Sequence, residues 1–127
     1  MDLVKSVKMR SLSRKARTEN IPETICLDFD GTIAQYDGVN IEVPGGPIAG
    51  LREFIDWAKA NGKELVIHSA RNDEQIRQWL KDNGLDIKVS FGKPAATYYV
   101  DDRAVYFNGD FKQLREDIKN TRPWWKD

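Results

Sequence analysis

Chemically capable side chains recur at the ends of apolar runs in this 127-residue chain. Four such runs end in, or lead into, carboxylates, a hydroxyl or basic groups. These residues are Asp28, Asp30, Ser69, Arg71, Lys93, Asp101 and Asp102. A solvated loop often supplies one Asp or Ser, so any one of them is weak evidence. The placement of all of them at the ends of apolar runs is much stronger evidence, and it indicates that they line a single crevice.

Carboxylates beside a hydroxyl and basic groups point to chemistry on phosphate. Clustered carboxylates repel one another, and a hard divalent cation such as Mg²⁺ is the simplest way to keep them ionised. A basic side chain and a hydroxyl facing that ion would bind the remaining oxygens of a phosphoryl group. One carboxylate could then attack phosphorus to form an aspartyl-phosphate, while a second protonates the leaving oxygen and later deprotonates water.

Alternating strand and helix signals after Pro22 predict an α/β domain with a mostly parallel sheet. The predicted strands are Thr24–Phe29, Glu64–Ser69, Ile87–Val89 and Thr97–Val100, with Val105–Phe107 as a fifth strand at the edge. In open parallel sheets the loops beyond the carboxyl ends of the strands converge on one crevice. The sheet would therefore bring the chemically capable residues together.

Three helices are predicted between and after these strands. The first begins at Pro47, which suits the first helical position, and ends at Gly62. Asn72 and Gln75 offer a capping pair for the second. The third carries an apolar face made of Phe111, Leu114 and Ile118.

One segment resembles the first motif of the haloacid dehalogenase-like (HAD) phosphatase superfamily: Asp28-Phe29-Asp30-Gly31-Thr32-Ile33. The later motifs of that superfamily follow in the same order, as Ile67-His68-Ser69, Gly92-Lys93-Pro94 and Tyr99-Val100-Asp101-Asp102. The resemblance covers roughly Ile25 to Asp117 and implies a three-layer, Rossmann-like fold with helices flanking a mostly parallel sheet. In two-component receiver domains the acidic pair comes early in the chain, so the order here argues against that class.

The resemblance implies a role for each residue of the motifs. Asp28 would be the nucleophile and Asp30 the general acid and base, and the presence of Asp30 favours a phosphatase over dehalogenases and pump ATPases. Ser69 and Lys93 would hold the phosphoryl group. The implied ligands of Mg²⁺ are Asp28, Asp30 through its backbone carbonyl, Asp101, and Asp102 either through water or by orienting the other ligands.

One departure from the family pattern concerns the segment before the acidic pair. Only Pro94–Val100 separate Lys93 from Asp101, where family members usually have a full helix. Because the region is compressed, Arg71 or Arg103 could share the binding of phosphate with Lys93.

Substrate specificity in this superfamily usually comes from a cap inserted after the first or the second motif. The gaps here, Ala34–Pro47 and Asn72–Gly92, are too short for a cap domain. An open site suits a large substrate, or a homo-oligomer in which a neighbour covers the site. We favour a nucleotide or a polynucleotide end, because Asp101-Asp102-Arg103 resembles the same region in the phosphatase part of polynucleotide kinases. A phosphatase for sugar phosphates or phosphoproteins, and a non-catalytic module that binds Mg²⁺ and a phosphorylated ligand, stay open.

Composition and charge describe a one-domain chain with an uneven charge distribution. With 40% apolar and 31% charged residues, residues 21–127 are predicted to form a single domain. The formal net charge is zero, but residues 1–20 carry six basic and two acidic residues, a local charge of +4. This basic extension is either a solvated arm or a contact for nucleic acid or a phospholipid surface. The single Cys26 and the lack of an apolar run of about 20 residues predict a cytoplasmic protein without a membrane span.

Two interpretations concern the single histidine and the tryptophan pair near the end of the chain. His68 is expected to be a hydrogen-bonded histidine of the strand rather than a catalytic group. Trp124 and Trp125 are expected to cover an exposed edge of the sheet, with a stacking platform for a base or a sugar as the alternative.

Overall fold

A computed structural model of the chain describes residues 22–39 and 42–126. Along these residues, strands and helices alternate. They are β1 (Thr24–Leu27), α1 (Leu51–Ala60), β2 (Glu64–Ile67), α2 (Asp73–Asp82), β3 (Lys88–Val89), β4 (Tyr98–Val100) and α3 (Phe111–Asn120). The predicted α/β class is therefore confirmed. The predicted basic extension, residues 1–20, lies outside the described residues.

The strands form one parallel sheet in the order β3-β2-β1-β4. β1 lies inside the sheet, where Leu27 pairs with Ile67 of β2 on one side and with Val100 of β4 on the other. The residues that follow these three partners therefore leave the sheet at the same level. They are Asp28, His68 and Asp101.

One apolar cluster joins β1 and β2 to α1 and α2. Its buried members are Ile25, Leu27, Phe29, Ile33, Ala34, Leu51, Ile55, Ile67, Ile76, Trp79, Leu80 and Ile87. Phe29 is fully buried and packs edge-to-face on Trp79, with 5.0 Å between the ring centroids. Because Phe29 stands between Asp28 and Asp30 in the sequence, the core anchors the backbone from which both carboxylates project.

The helices that pack on the sheet lie on one of its faces. The connections β1-α1-β2 and β2-α2-β3 step in the same direction across the sheet, and right-handed crossovers therefore place α1 and α2 on the same side. The later helix α3 has no buried residue, and its Phe111 and Ile118 are 75% and 58% exposed. Within the described residues, the expected apolar face of α3 is thus formed but not buried.

Two predictions about elements are wrong. α1 begins at Leu51 rather than at Pro47, because Pro47 forms a β-bridge with Ala34 and stays in the loop. No strand forms at 105–107 in the part of the chain that the structure describes. There the ring of Phe107 packs against Phe111 of α3 instead, with 4.9 Å between the ring centroids.

The remaining predicted elements are confirmed with shorter ends. β1 and β2 each stop two residues early, because 28–29 and 68–69 already belong to the loops at the carboxyl edge. The Oδ1 of Asn72 caps α2 by accepting the N–H groups of Glu74 at 2.9 Å and Gln75 at 3.3 Å. Among the described helices, none has the length and apolar character needed to cross a bilayer.

Candidate active site

A cleft of about 650 Å³ opens at the carboxyl ends of β1, β2 and β4. This volume lies within the usual range for small-molecule sites. Most of the predicted site residues line it. They are Asp28, Asp30, Ser69, Arg71 and Asp101. The parallel register thus brings together side chains that are far apart in the sequence.

Three carboxylates form an acidic group in this region, made of Asp28, Asp101 and Asp102. One oxygen from each lies within 4.8 Å of the others. Asp28 follows β1 and the other two follow the neighbouring β4, so the pairing of these strands brings the three together. The pKa of Asp28 is raised to about 7, first by burial and then by Asp101 and Asp102, against the lowering effect of the Phe29 N–H.

The acidic group has the donor set of a hard divalent cation. Oδ1 of Asp102 is buried and has no hydrogen-bond partner among the described residues. Oδ1 of Asp101 accepts the backbone N–H of Arg103 at 2.7 Å, which fixes the orientation of that carboxylate. A cation would give the orphaned oxygen of Asp102 a partner and relieve the repulsion among the acids. The residues therefore fit an oxygen-seeking metal ion.

The side chain of Asp30 is not part of the acidic group and pairs with Arg71 instead. The guanidinium donates from Nε to Oδ2 and from Nη2 to Oδ1, each at 2.9 Å. The side chain of Arg71 is only 4% exposed. It lies over the ring of Phe29, and its Nη1 donates to Oε1 of Gln75 at 3.2 Å. Asp30, the predicted acid/base, and Arg71, a predicted phosphate-binding cation, are therefore paired with each other in the lining of the cleft.

Ser69 lies beside this pair, just before α2. Its Oγ accepts the N–H of Arg71 at 3.1 Å, and because the oxygen acts as an acceptor there, its O–H can donate to a ligand. Asn72 and Gln75, at the start of α2, line the same cleft. The N-terminus of a helix carries a partial positive charge. This part of the cleft is suited to the oxygens of an anion.

Lys93 is not among the residues that line the cleft. Its Nζ lies 4.7 Å from the centroid of the Tyr99 ring, and Tyr99 pairs with Cys26 of β1. Cys26 and Asp28 project from the same face because side chains alternate along a strand. The ammonium group therefore contacts the ring of a residue whose strand partner, Cys26, comes two residues before Asp28. A phosphate-binding role for Lys93 stays a prediction.

His68 leaves β2 next to Asp28 and lines the cleft. Its backbone N–H donates to the carbonyl of Leu27 at 3.1 Å. Its Nδ1, however, is buried without a hydrogen-bond partner among residues 22–39 and 42–126. The expectation of a hydrogen-bonded side chain is therefore wrong at Nδ1, and this atom is a candidate contact for a ligand or an ordered water.

The role of the tryptophan pair differs from the expectation. The indole N–H of Trp125 donates to Oδ2 of Asp102 at 2.5 Å, and that of Trp124 donates to the carbonyl of Gly31 at 2.7 Å. The prediction that the pair covers an edge of the sheet is wrong, because both indoles bind loops at the carboxyl ends of β1 and β4. The available signal was the indole N–H group, a donor that can bond to a carbonyl or carboxylate oxygen of a nearby loop.

Sequence reasoning also missed an aromatic cluster beside the acids, made of Tyr36, Arg103 and Trp125. The rings of Tyr36 and Trp125 meet edge-to-face with 4.9 Å between their centroids. Cζ of Arg103 lies 5.9 Å from the centroid of Tyr36 and 5.3 Å from that of Trp125. Tyr36 and Arg103 line the cleft, so flat side chains stand close to the carboxylates.

Comparison with known proteins yields a similarity of fold. No model of a known protein family matches the sequence, and no curated protein matches it. The chain is similar to a solved structure, that of a conserved protein coded by a locus from Bacteroides thetaiotaomicron. The two share 25% identity with a TM-score of 0.53, over 78% of this chain and 91% of that chain. The similarity supports the α/β arrangement.

Proposed function

We propose that this chain is a Mg²⁺-dependent phosphomonoester hydrolase of the HAD type, working through an aspartyl-phosphate on Asp28. The observation that carries the proposal is the presence of a three-carboxylate group and an anion-binding lining at one cleft. The carboxylates suit a divalent cation, and the Ser69 O–H can donate to a phosphoryl oxygen. Arg71 can donate to the phosphoryl group once it exchanges the Asp30 carboxylate for it. The order of the four sequence motifs supports the same reaction.

Asp28 is the proposed nucleophile. One of its carboxylate oxygens bonds to phosphorus, the bond from phosphorus to the leaving oxygen breaks, and an aspartyl-phosphate forms. Asp28 must be ionised to attack, and its pKa of about 7 makes this incomplete at neutral pH in the metal-free protein. Bound Mg²⁺ would supply the charge that favours the ionised form and withdraws electrons from the phosphoryl group. The Ser69 O–H and Arg71 N–H groups would orient that phosphoryl group.

Asp30 is the proposed acid and base. In the first half of the reaction its carboxyl proton passes to the leaving oxygen, which departs as an alcohol. In the second half its carboxylate takes a proton from water, the water oxygen bonds to phosphorus, and the bond to Asp28 breaks. Inorganic phosphate leaves and Asp28 is regenerated. Asp30 ends the cycle protonated, ready for the next leaving group.

The Asp30–Arg71 pair links substrate binding to this proton transfer. A phosphate dianion that enters the cleft competes with Asp30 for the guanidinium, because both offer two oxygens to the same N–H groups. When the Arg71 guanidinium donates its hydrogen bonds to the phosphoryl oxygens instead, the Asp30 carboxyl group is free to carry a proton. Lys93 could reach the same oxygens by rotation of its side chain away from Tyr99.

The aromatic cluster supports a nucleotide or a polynucleotide end as the substrate. Tyr36 and Arg103 place a ring and a guanidinium plane beside the cleft, and groups of both kinds stack on nucleobases. Sugar phosphates and phosphorylated side chains of proteins lack such a base. We therefore expect nucleoside monophosphates or phospho-oligonucleotides to be better substrates than either.

A non-catalytic module that binds Mg²⁺ and a phosphorylated ligand is the second candidate. One observation favours it: Arg71 binds both oxygens of Asp30, so the proposed acid/base is engaged by the proposed phosphate-binding residue. A module would need the cation and the anion contacts but not the proton transfer.

Hydrolysis of p-nitrophenyl phosphate with and without Mg²⁺ separates the two candidates. We expect turnover that depends on Mg²⁺, is lost in Asp28→Asn, and is unchanged in Asp86→Asn, an exposed acid that does not line the cleft. A panel of nucleotides, phospho-oligonucleotides, sugar phosphates and phosphopeptides then ranks the substrates. Turnover no higher than that of Asp28→Asn on every member would contradict the hydrolase and favour the module.

A further inference from the structure

The chain that follows α3 reaches back to the acidic group. Trp125 donates its indole N–H to Oδ2 of Asp102, and Trp124 donates its own to the carbonyl of Gly31. These two contacts span 23 and 93 positions of the sequence, respectively. The tail therefore connects to the loop after β1 and the loop after β4, which supply the nucleophile and the acidic pair.

The loop after β1 is shaped around the indole of Trp125. A Cβ at Gly31 would lie 2.7 Å from the indole nitrogen, and a Cβ at Gly38 would lie 2.6 Å from ring carbon Cζ3. Both distances are shorter than real Cβ contacts allow. Both glycines also have positive φ, 81° and 86°, which other residues rarely adopt. The space that the Trp125 ring occupies therefore depends on glycine at positions 31 and 38.

The hydrogen bond from Trp125 leaves the two oxygens of Asp102 in different states. Oδ2 accepts the indole N–H, while Oδ1 is buried and has no partner among the described residues. A bond to one oxygen restricts rotation of the whole carboxylate, and this carboxylate is the one that joins Asp28 and Asp101 in the acidic group. Partners of this kind, which orient a metal ligand without touching the metal, strengthen metal binding in many sites.

We infer that Trp125 is a positioning residue for the cation site: its indole N–H fixes the Asp102 carboxylate as a preset ligand for a divalent cation. The inference rests on the cation-binding part of the proposed function and is independent of hydrolysis. It gives the segment after α3 a part in completing the site.

A role for Trp125 in packing alone leads to a different expectation. The ring packs on Tyr36 and lies near the guanidinium of Arg103, and a phenylalanine would keep an aromatic ring there. Trp125→Phe removes the N–H donor while retaining an aromatic group. Trp124→Phe is the matched control, because it removes the neighbouring N–H but leaves the bond to Asp102 intact.

Calorimetric titration of the full chain with Mg²⁺ tests the inference. We expect Trp125→Phe to weaken Mg²⁺ binding by about 10-fold or more, and Trp124→Phe to bind Mg²⁺ nearly as the unmutated chain does. Equal affinity in Trp125→Phe and the unmutated chain would overturn the inference and leave the proposed function in place. Failure of the unmutated chain to bind Mg²⁺ would overturn both.

A measurement on the unmutated chain covers the case in which a variant does not fold. The indole N–H resonances of a ¹⁵N-labelled sample can be followed by NMR during the Mg²⁺ titration. We expect the resonance of Trp125 to shift, because its acceptor becomes a metal ligand. That of Trp57, half-exposed on α1, should not shift. A stationary Trp125 resonance while Mg²⁺ saturates the site would contradict the inference.

Discussion

The guanidinium of Arg71 and the carboxylate of Asp30 form a bidentate ion pair, with Nε–Oδ2 and Nη2–Oδ1 distances of 2.9 Å each. Their side chains are only 4% and 23% exposed. The pair between Arg77 and Glu74 of α2 is different, with a separation of 3.6 Å and side chains that are 50% and 87% exposed. Aligned and shielded pairs contribute more to stability than exposed ones, so the second pair serves as a control for the first.

Arg71→Lys should damage both stability and activity. Lysine keeps the positive charge but cannot donate to two carboxylate oxygens in the planar geometry of arginine. We expect the free energy of unfolding to fall by about 2 kcal/mol, measured by urea denaturation. We also expect kcat/KM for p-nitrophenyl phosphate to fall by about 10²-fold.

Arg77→Lys should leave both quantities unchanged, because the exposed pair with Glu74 contributes little. An Arg71→Lys variant as stable as the unmutated chain would show that the ion pair with Asp30 does not contribute to folding in solution.

Asp30→Asn should separate proton transfer from phosphate binding. The amide cannot carry a proton between the leaving oxygen and water, so we expect kcat to fall by about 10²- to 10⁴-fold. Asparagine is close to aspartate in shape, and Ser69 and Arg71 remain in the cleft. Because the neutral amide competes less well for the Arg71 guanidinium, the inhibition constant of inorganic phosphate should stay the same or fall. Losses of equal size in kcat and in phosphate affinity would contradict an acid/base role.

The raised pKa of Asp28 should make the stability of the metal-free protein depend on pH. In the folded chain Asp28 keeps its proton up to about pH 7, whereas in the unfolded chain it releases the proton near the ordinary pKa of 3.8. Between these values the folded state binds more protons. The contribution of Asp28 to the free energy of unfolding is therefore largest below about pH 4, falls up to about pH 7, and is constant above it.

Urea denaturation of the unmutated chain and of Asp28→Asn in EDTA across pH 4 to 8 isolates this contribution. Asparagine does not titrate, so Asp28→Asn should gain stability relative to the unmutated chain as the pH rises. Asp86→Asn should follow the unmutated chain. A relative stability that stays constant across this range would show that the pKa of Asp28 is not raised.

The positions of the main site residues follow from the sequence because local rules suffice there. Apolar runs that end in Asp28, Ser69 and Asp101 predict parallel strands, and residues that follow parallel strands meet at one edge of the sheet. Local rules are insufficient at Pro47. It satisfies the preference for the first turn of a helix, but its β-bridge with Ala34 keeps it in the loop.

The contact between Trp125 and Asp102 could not be predicted in this way. It joins the segment after α3 to the loop after β4, at the carboxyl edge of the sheet. It also depends on the space that Gly31 and Gly38 leave for the Trp125 ring. No periodic pattern encodes such a contact. For the same reason, periodicity predicts the apolar face of α3 but not whether the described residues bury that face.

Lys93→Met tests whether a residue that lies outside the cleft lining takes part in phosphate binding. Its ammonium group lies over Tyr99, whose strand partner Cys26 comes two residues before Asp28, so a phosphate-binding role requires the side chain to rotate toward the cleft. Methionine keeps the length and loses the charge. We expect the inhibition constant of inorganic phosphate to rise by about 10-fold, since a hydrogen bond to a charged group contributes about 1.5 kcal/mol or more. Lys88→Met, an exposed lysine of β3, is the control. Unchanged phosphate affinity in Lys93→Met would leave Ser69 and Arg71 as the phosphate-binding residues.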